Sequence, residues 1–403
     1  MKHKFRHGVS RVGFLFNHDE LHQIAHTAPI IPKLQQITGN TSVEVITSSP
    51  MQAKAVRNHL GSVAELTPFH QIDAGRIARV LQKSVGDVVP IERVSSLAKN
   101  LDLLKQFDAL VVPETTTTIL KSYYQLQKPK LIHIPHGAGD KSIAISPDIR
   151  HFDFVLLPGV KTRNRMLAAG VIREDNYAIV GYPKFDCYKQ PSSPKFFNDR
   201  KPVVLYNPHF DPKLSSWFKF GEKLLDFFAS QHDYNLIFAP HVMLFRRKVL
   251  ASVEHRTIRY RRALPQRFLR APNILIDTGS ARSVDMTYTR AADIYIGDVS
   301  SQVYEFIERP RPAFFLNSHQ ARWSESPSYE FWRFGPVAEN FYQFVQQFAE
   351  YTSSGSFNKH IQTMAFAETF MLDKQQTSSL RAAKSIAQFL GLSTNCPTMA
   401  MAP

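Results

Sequence analysis

Asp293-Ile294-Tyr295-Ile296-Gly297-Asp298-Val299-Ser300-Ser301-Gln302-Val303-Tyr304-Glu305-Phe306-Ile307 is the stretch that decides the fold of this chain. Its first residues are β-branched and aromatic, the composition of a short buried strand. A polar turn follows, Gly297 to Ser301. Val303, Phe306 and Ile307 then recur at helical spacing, so a helix is expected to begin near Ser300. A helix start after a strand offers unpaired backbone N–H groups and the positive end of a dipole, which suit a phosphate. Serine is also a favoured cap of any helix, so the residues alone leave both readings open.

Working outward, the same strand–turn–helix unit recurs on both sides. Upstream strands are expected at Val12-Gly13-Phe14-Leu15-Phe16, Val43-Glu44-Val45-Ile46, Ala109-Leu110-Val111-Val112, Leu131-Ile132-His133-Ile134, Phe154-Val155-Leu156-Leu157 and Tyr177-Ala178-Ile179-Val180. Helical stretches fall between them, near 51–60, 91–107 and 161–169. Gln190-Pro191-Ser192-Ser193-Pro194 interrupts the pattern and reads as a linker. The alternation resumes at Val203-Val204-Leu205-Tyr206 and Asn235-Leu236-Ile237-Phe238, and continues through 273–276, 293–296 and 312–316. The stretch 339–390 reads as helical. The fold class is therefore α/β: two Rossmann-like domains facing across a cleft, with a C-terminal helical segment. The expected domains are 1–190, on the acceptor side, and 200–392, on the donor side and including the terminal helices. A flexible tail is expected at 393–403.

Open parallel sheets bind ligands beyond the carboxyl ends of their strands, so the candidate residues lie there. His136-Gly137-Ala138-Gly139-Asp140-Lys141 follows one strand. Gly137 and Gly139 let the backbone turn beside a ligand, His136 can act as a general base, and Lys141 can pair with a phosphate. A hydrogen-bonded structural histidine in a turn is the competing reading. Phe238-Ala239-Pro240-His241 ends another strand, and His241 can donate to a phosphate or leaving group, or merely sit at the edge of a core. His18 and Asp19, Glu114 and Thr115, Asn207 to Asp211, and Asp277 to Ser280 also follow strands and can equally be turns.

The chain has 403 residues, 43% hydrophobic, and two cysteines, Cys187 and Cys396. Two cysteines cannot form a disulfide framework and fit a reducing cytoplasm. No apolar run reaches the length of a membrane span, and the basic start, Met1 to His7, lacks the apolar segment of a secretory signal. The 16 histidines show no metal spacing: His18 and His22 are four apart but lie among loop-forming residues. There is no phosphate-binding P-loop, no nucleophile elbow and no dinucleotide fingerprint, so neither metal nor cofactor is expected. Net charge is +15, with basic residues densest from Arg246 to Arg270. That stretch reads either as a solvated face or as a surface for anionic lipid or a polyanionic acceptor. Its only aromatics are Tyr260 and Phe268, which argues against nucleic acid.

Several motifs then fall in order: His136-Gly137 with Lys141, Val180-Gly181-Tyr182-Pro183-Lys184-Phe185-Asp186, Val204-Leu205-Tyr206-Asn207-Pro208, Pro240-His241, and Ala292 to Ser301. Over 130–317 this resembles the CDP-glycerol glycerophosphotransferase family of teichoic-acid and capsule assembly. The resemblance implies a B-type glycosyltransferase fold. It implies His136 as the base that activates an acceptor hydroxyl, and His241 as a holder of the donor diphosphate. It assigns Asp298, Ser300 and Ser301 to the donor phosphates, with Lys141 beside them. The chain departs from the family pattern in reading His136-Gly137-Ala138-Gly139 where His-Gly-Thr is usual. Pro240 precedes rather than follows His241, and Gly297-Asp298-Val299 replaces Thr-Asp-Tyr.

The expected function is transfer of a polyol phosphate from a CDP-linked donor to an acceptor hydroxyl in cell-surface polymer synthesis. The alternative on the same fold is sugar transfer from a nucleotide sugar in capsule or lipopolysaccharide synthesis. A basic nucleic-acid-binding protein is the third reading. The expected partners are a nucleotide-activated donor, a glycan or lipid-linked acceptor and an anionic membrane surface, with no nucleic acid. The expected location is the cytoplasm, peripheral at the inner face of the membrane.

Overall fold

The computed structural model describes residues 9–18, 20–85, 90–137, 145–188, 194–252 and 254–395. The chain divides into two compact units. The first is Met1–His136, Ile145–Lys189 and Ala367–Pro403, and the second is Gly137–Ala144 and Gln190–Phe366, each taken over its described residues.

The first unit is built on seven parallel strands: β1 (Ser10–Phe16), β2 (Thr41–Thr47), β3 (Phe69–Gln71), β4 (Ala109–Val112), β5 (Lys130–His133), β6 (Phe154–Leu157) and β7 (Tyr177–Ile179). Their order is β3-β2-β1-β4-β5-β6-β7. Because strand side chains alternate, Val12, Phe14 and Phe16 join one buried cluster while Leu15 joins the other. Both faces are thus covered, as a parallel sheet requires.

The second unit repeats this plan with β8 (Val203–Asn207), β9 (Asn235–Phe238), β12 (Ile274–Ile276), β13 (Ile294–Gly297), β14 (Ala313–Leu316) and β15 (Val337–Ala338). The sheet order is β12-β9-β8-β13-β14-β15. The chain leaves β8 in one direction and returns at β13 in the other, which makes their junction the crevice of this sheet. Between β9 and β12 the chain inserts an antiparallel hairpin, β10 (Val249–Ser252) and β11 (Thr257–Tyr260).

The last helix differs from expectation, whereas the helix Phe341–Ser354 lies in the second unit as expected. The helix Ser378–Leu390 belongs to the first unit, not the second. Ser379 donates through both its backbone N and Oγ to Asp186, at 2.7 and 2.6 Å. Ser378 Oγ accepts from the Tyr182 amide at 2.9 Å, and Phe389 stacks on Phe154 at 4.5 Å. Helical periodicity shows that a face must be buried, but not which sheet will cover it. At the tail, Thr394 bridges to Thr38, while 396–403 lie outside the described residues. The linker residues 190–193 lie outside them as well.

Candidate functional site

At the strand ends of the first unit, β5 runs out through Ile134 and Pro135 to His136. Its Nδ1 lies 2.7 Å from the Pro113 carbonyl, just after β4. A carbonyl can only accept, so Nδ1 carries the proton and the neutral ring presents Nε2 as a base. His136 keeps solvent access. Its pKa is nonetheless lowered, first by desolvation and also by the Arg93 cation, against the pull of the Pro113 bond. Solvent contact weakens that shift, so the hydrogen bond is the firmer reason for a neutral base. Gly137 adopts φ 86°, a left-handed conformation that glycine tolerates without steric cost. Gly139 and Lys141 lie outside the described residues, as does Asp19.

Two buried groups flank His136. His18, after β1, is 2% exposed, and its pKa is pushed down to about 3, first of all by burial. Glu114, after β4, is 4% exposed, and burial raises its pKa. Its carboxylate accepts from the Thr117 amide at 3.2 Å and from the Thr117 hydroxyl, capping the turn Thr116–Thr118. Glu114 is thereby a turn anchor. Arg93, on the helix Ile91–Lys99, is a charged neighbour of His136 that sequence reading missed, because nothing in a helix pattern marks which residue lies near a strand end.

The crevice of the second unit is a hydrogen-bonded frame. Asn207, at the end of β8, accepts from Ser300 Oγ at 2.9 Å and from the Tyr295 hydroxyl at 3.3 Å. Its own amide donates to the Ala239 carbonyl at 2.6 Å, tying β8, β9 and β13 together. Asp298 is 1% exposed. Its carboxylate accepts the backbone N–H groups of His209 at 2.8 Å, Ser216 at 2.6 Å and Val299 at 2.6 Å. Burial still raises its pKa against those bonds.

This geometry corrects the expectation that Asp298 contacts donor phosphate. Its oxygens are spent on buried amides, and an anion has no reason to approach a carboxylate. Ser300 is also committed, to Asn207 and to the Gln302 amide at 3.3 Å. Ser301 is exposed and makes no capping bond at the start of the helix Gln302–Phe306.

His241 follows β9 through Pro240. Its backbone N–H donates to the Pro208 carbonyl at 2.9 Å, and its ring lies 5.6 Å from that of His209 and 4.6 Å from that of Phe210. His241 Nδ1 accepts from the Met243 amide at 3.3 Å. His209 Nδ1 accepts from the Asp211 amide at 3.0 Å. In the neutral form each ring therefore carries its proton on Nε2 and is a donor. Asn207 and His209 were visible in sequence only as polar residues after a strand; their role rests on long-range bonds to Ser300 and Asp298. Asp277 proves to be a turn residue, accepting from the Gly279 and Ser280 amides at 3.0 and 2.8 Å. Among the described residues, no group of histidine, cysteine and carboxylate side chains could hold a metal ion.

The sequence profile of the family described as CDP-Glycerol:Poly(glycerophosphate) glycerophosphotransferase matches residues 130–388. No curated protein matches. Solved structures share the fold at low identity. The Staphylococcus aureus MnaA structure with UDP is 12% identical, covering 95% of this chain and 97% of that one, with a TM-score of 0.59. The UDP-GlcNAc 2-epimerase of Neisseria meningitidis, bound to UDP-GlcNAc, is 14% identical over 94% of this chain and 99% of that one, with a TM-score of 0.56. A substituted form of the wall teichoic acid polymerase TagF, soaked with CDPG, is 13% identical over 95% of this chain and 88% of that one, with a TM-score of 0.53.

Proposed function

This chain belongs to the CDP-glycerol:poly(glycerophosphate) glycerophosphotransferase family, and we propose that it moves glycerol phosphate from CDP-glycerol to an acceptor hydroxyl in cell-wall polymer synthesis. The observation that carries this reading is the frame at the β8/β13 junction. There Asp298 holds the His209 amide and Asn207 holds the buried Ser300, the residue just before the exposed Ser301, at one strand edge.

In the proposed step, the acceptor oxygen attacks the phosphorus of the glycerol phosphate and forms the new P–O bond. The bridging P–O bond of the diphosphate breaks and CMP leaves with the electron pair. His136 Nε2 takes the acceptor proton. Ser301 and His241 Nε2–H donate to the phosphate oxygens where charge grows, a preorganised electrostatic contribution. Asp298 and Ser300 act by position. The acceptor is a glycan or lipid-linked polymer, met by a chain lying peripherally at an anionic membrane.

CDP-glycerol should raise the melting temperature, and CMP should be released only when acceptor is present. A shift with UDP-sugars and none with CDP-glycerol would transfer the reading to a glycosyltransferase. No shift with either would end both.

A further inference from the structure

The hairpin β10–β11 has its apolar side outward. Its register sets Val249 opposite Tyr260 and Ala251 opposite Ile258, so these four side chains share one face. Val249 is 56%, Ile258 72% and Tyr260 63% exposed, and Ala251 is exposed too. The other face holds Leu250 and Ser252, both buried, with Arg259 and Thr257 opposite them. Leu250 joins the core of the second unit. An antiparallel pair with one wet face ordinarily turns polar residues to water, so this arrangement is inverted.

The base of the hairpin is anchored. Arg261 is 8% exposed; its amide donates to the Lys248 carbonyl at 2.7 Å, and its guanidinium lies 4.3 Å over the Phe245 ring. The outward face is thus held in place by the core behind it.

Around this face the charge is one-sided. From 246 to 262 the chain carries seven arginines and lysines, Arg246, Arg247, Lys248, Arg256, Arg259, Arg261 and Arg262, and one acid, Glu254. All of the cations but Arg261 are exposed. A flat apolar patch rimmed by long cationic side chains matches a bilayer surface. The apolar groups enter the acyl boundary while the arginines stay at anionic head groups. A second copy of the chain would bring like charges together, and a nucleic acid would leave Val249, Ala251 and Ile258 unmatched.

We propose that the outward face of β10–β11 docks the second unit on an anionic lipid surface. The same chain segment carries His241 a few residues upstream, so docking would hold the donor seat close to the membrane. The proposal deepens the peripheral-membrane reading above but does not depend on which donor is used.

The test is co-sedimentation of the full chain with vesicles of phosphatidylcholine, with and without phosphatidylglycerol. The wild type should bind the anionic vesicles and not the neutral ones. The double variant Ile258→Asp/Tyr260→Asp should weaken binding by about tenfold or more, with an unchanged melting temperature because both side chains are exposed. Arg256→Glu/Arg262→Glu should abolish the preference for anionic lipid. Turnover on a water-soluble acceptor should stay normal in both variants. Vesicle binding without turnover on any donor would support the docking face while sinking the transferase reading. The proposal is overturned if the wild type ignores both vesicles or if Ile258→Asp/Tyr260→Asp binds as tightly. It is overturned equally if light scattering shows a dimer that this variant splits, or if the chain binds nucleic acid in place of vesicles.

Discussion

His136 and His241 are both histidines placed after a parallel strand, yet the backbone fixes opposite tautomers in their neutral rings. At His136, Nδ1 donates to the Pro113 carbonyl, which leaves Nε2 to take a proton. At His241, Nδ1 accepts from the Met243 amide, which leaves Nε2 to give a hydrogen bond. The difference lies in which backbone group meets Nδ1, a carbonyl or an amide, not in the residue type. The same contrast runs through the two units. The first gathers titratable groups under burial, whereas the second spends its buried polar groups on fixing a frame.

The largest expected effect comes from removing the base. His136→Ala and His136→Gln should both lower turnover by about a thousandfold, since an amide cannot accept the acceptor's proton. Donor affinity should stay within a few-fold. His241 should behave otherwise. His241→Ala should cost about a hundredfold in turnover. His241→Gln should regain much of it, because a glutamine amide can still donate. Measured kcat and KM on the four variants decide the matter; equal rescue by glutamine at both positions would dissolve the distinction.

Next in size is Asp298. Asp298→Ala leaves three buried amides without their acceptor and should destabilise the second unit by about 3 kcal/mol. Chemical denaturation reads this directly. Ser301→Ala, in contrast, should leave stability unchanged and weaken donor binding by about tenfold. If Ser301→Ala unfolds the protein while Asp298→Ala binds donor poorly but stays folded, the roles of frame and ligand contact are reversed.

Much of this architecture was legible in the sequence. Residues 12–16, 109–112, 154–157, 235–238 and 293–296 read as strands because parallel strands covered on both faces carry near-continuous apolar runs. The short strands β3, β10, β11 and β15 escaped, since their residues are half exposed or too few to set a period. The long helix expected at 91–107 breaks at Asn100, whose side-chain amide reaches back to the Ser96 carbonyl at 2.8 Å. The positions of His136, His241 and Ser301 came from a simple rule, polar residue after strand. Asp298 obeys the same rule, yet its carboxylate turns back on the loop, an orientation the rule does not distinguish. Only the amides of His209 and Ser216, distant in sequence, show which way it faces.

The smallest expected effect separates the units by acid. Burial pushes the pKa values of both His18 and His133 down to about 3 in the first unit. Unfolded histidine titrates near 6.5. Between those values the unfolded chain binds protons that the folded one refuses, so stability is complete above pH 6.5 and falls as pH drops toward 3. Each histidine contributes a slope of about 1.4 kcal/mol per pH unit. His319 in the second unit is lowered less, to about 4, and lies partly exposed. Amides of the first unit should therefore lose exchange protection first as pH falls from 7 to 5. His133→Phe retains the stacking on Phe152, now 4.6 Å between ring centroids, while removing one of the titrating groups. Its stability should fall at neutral pH, where the bond from His133 Nδ1 to the Val112 carbonyl at 3.2 Å is lost. Its dependence on pH should nonetheless be flatter by about one proton between pH 6 and pH 4. An unchanged slope in His133→Phe would mean that the acid sensitivity of this unit arises elsewhere than at its buried strand ends.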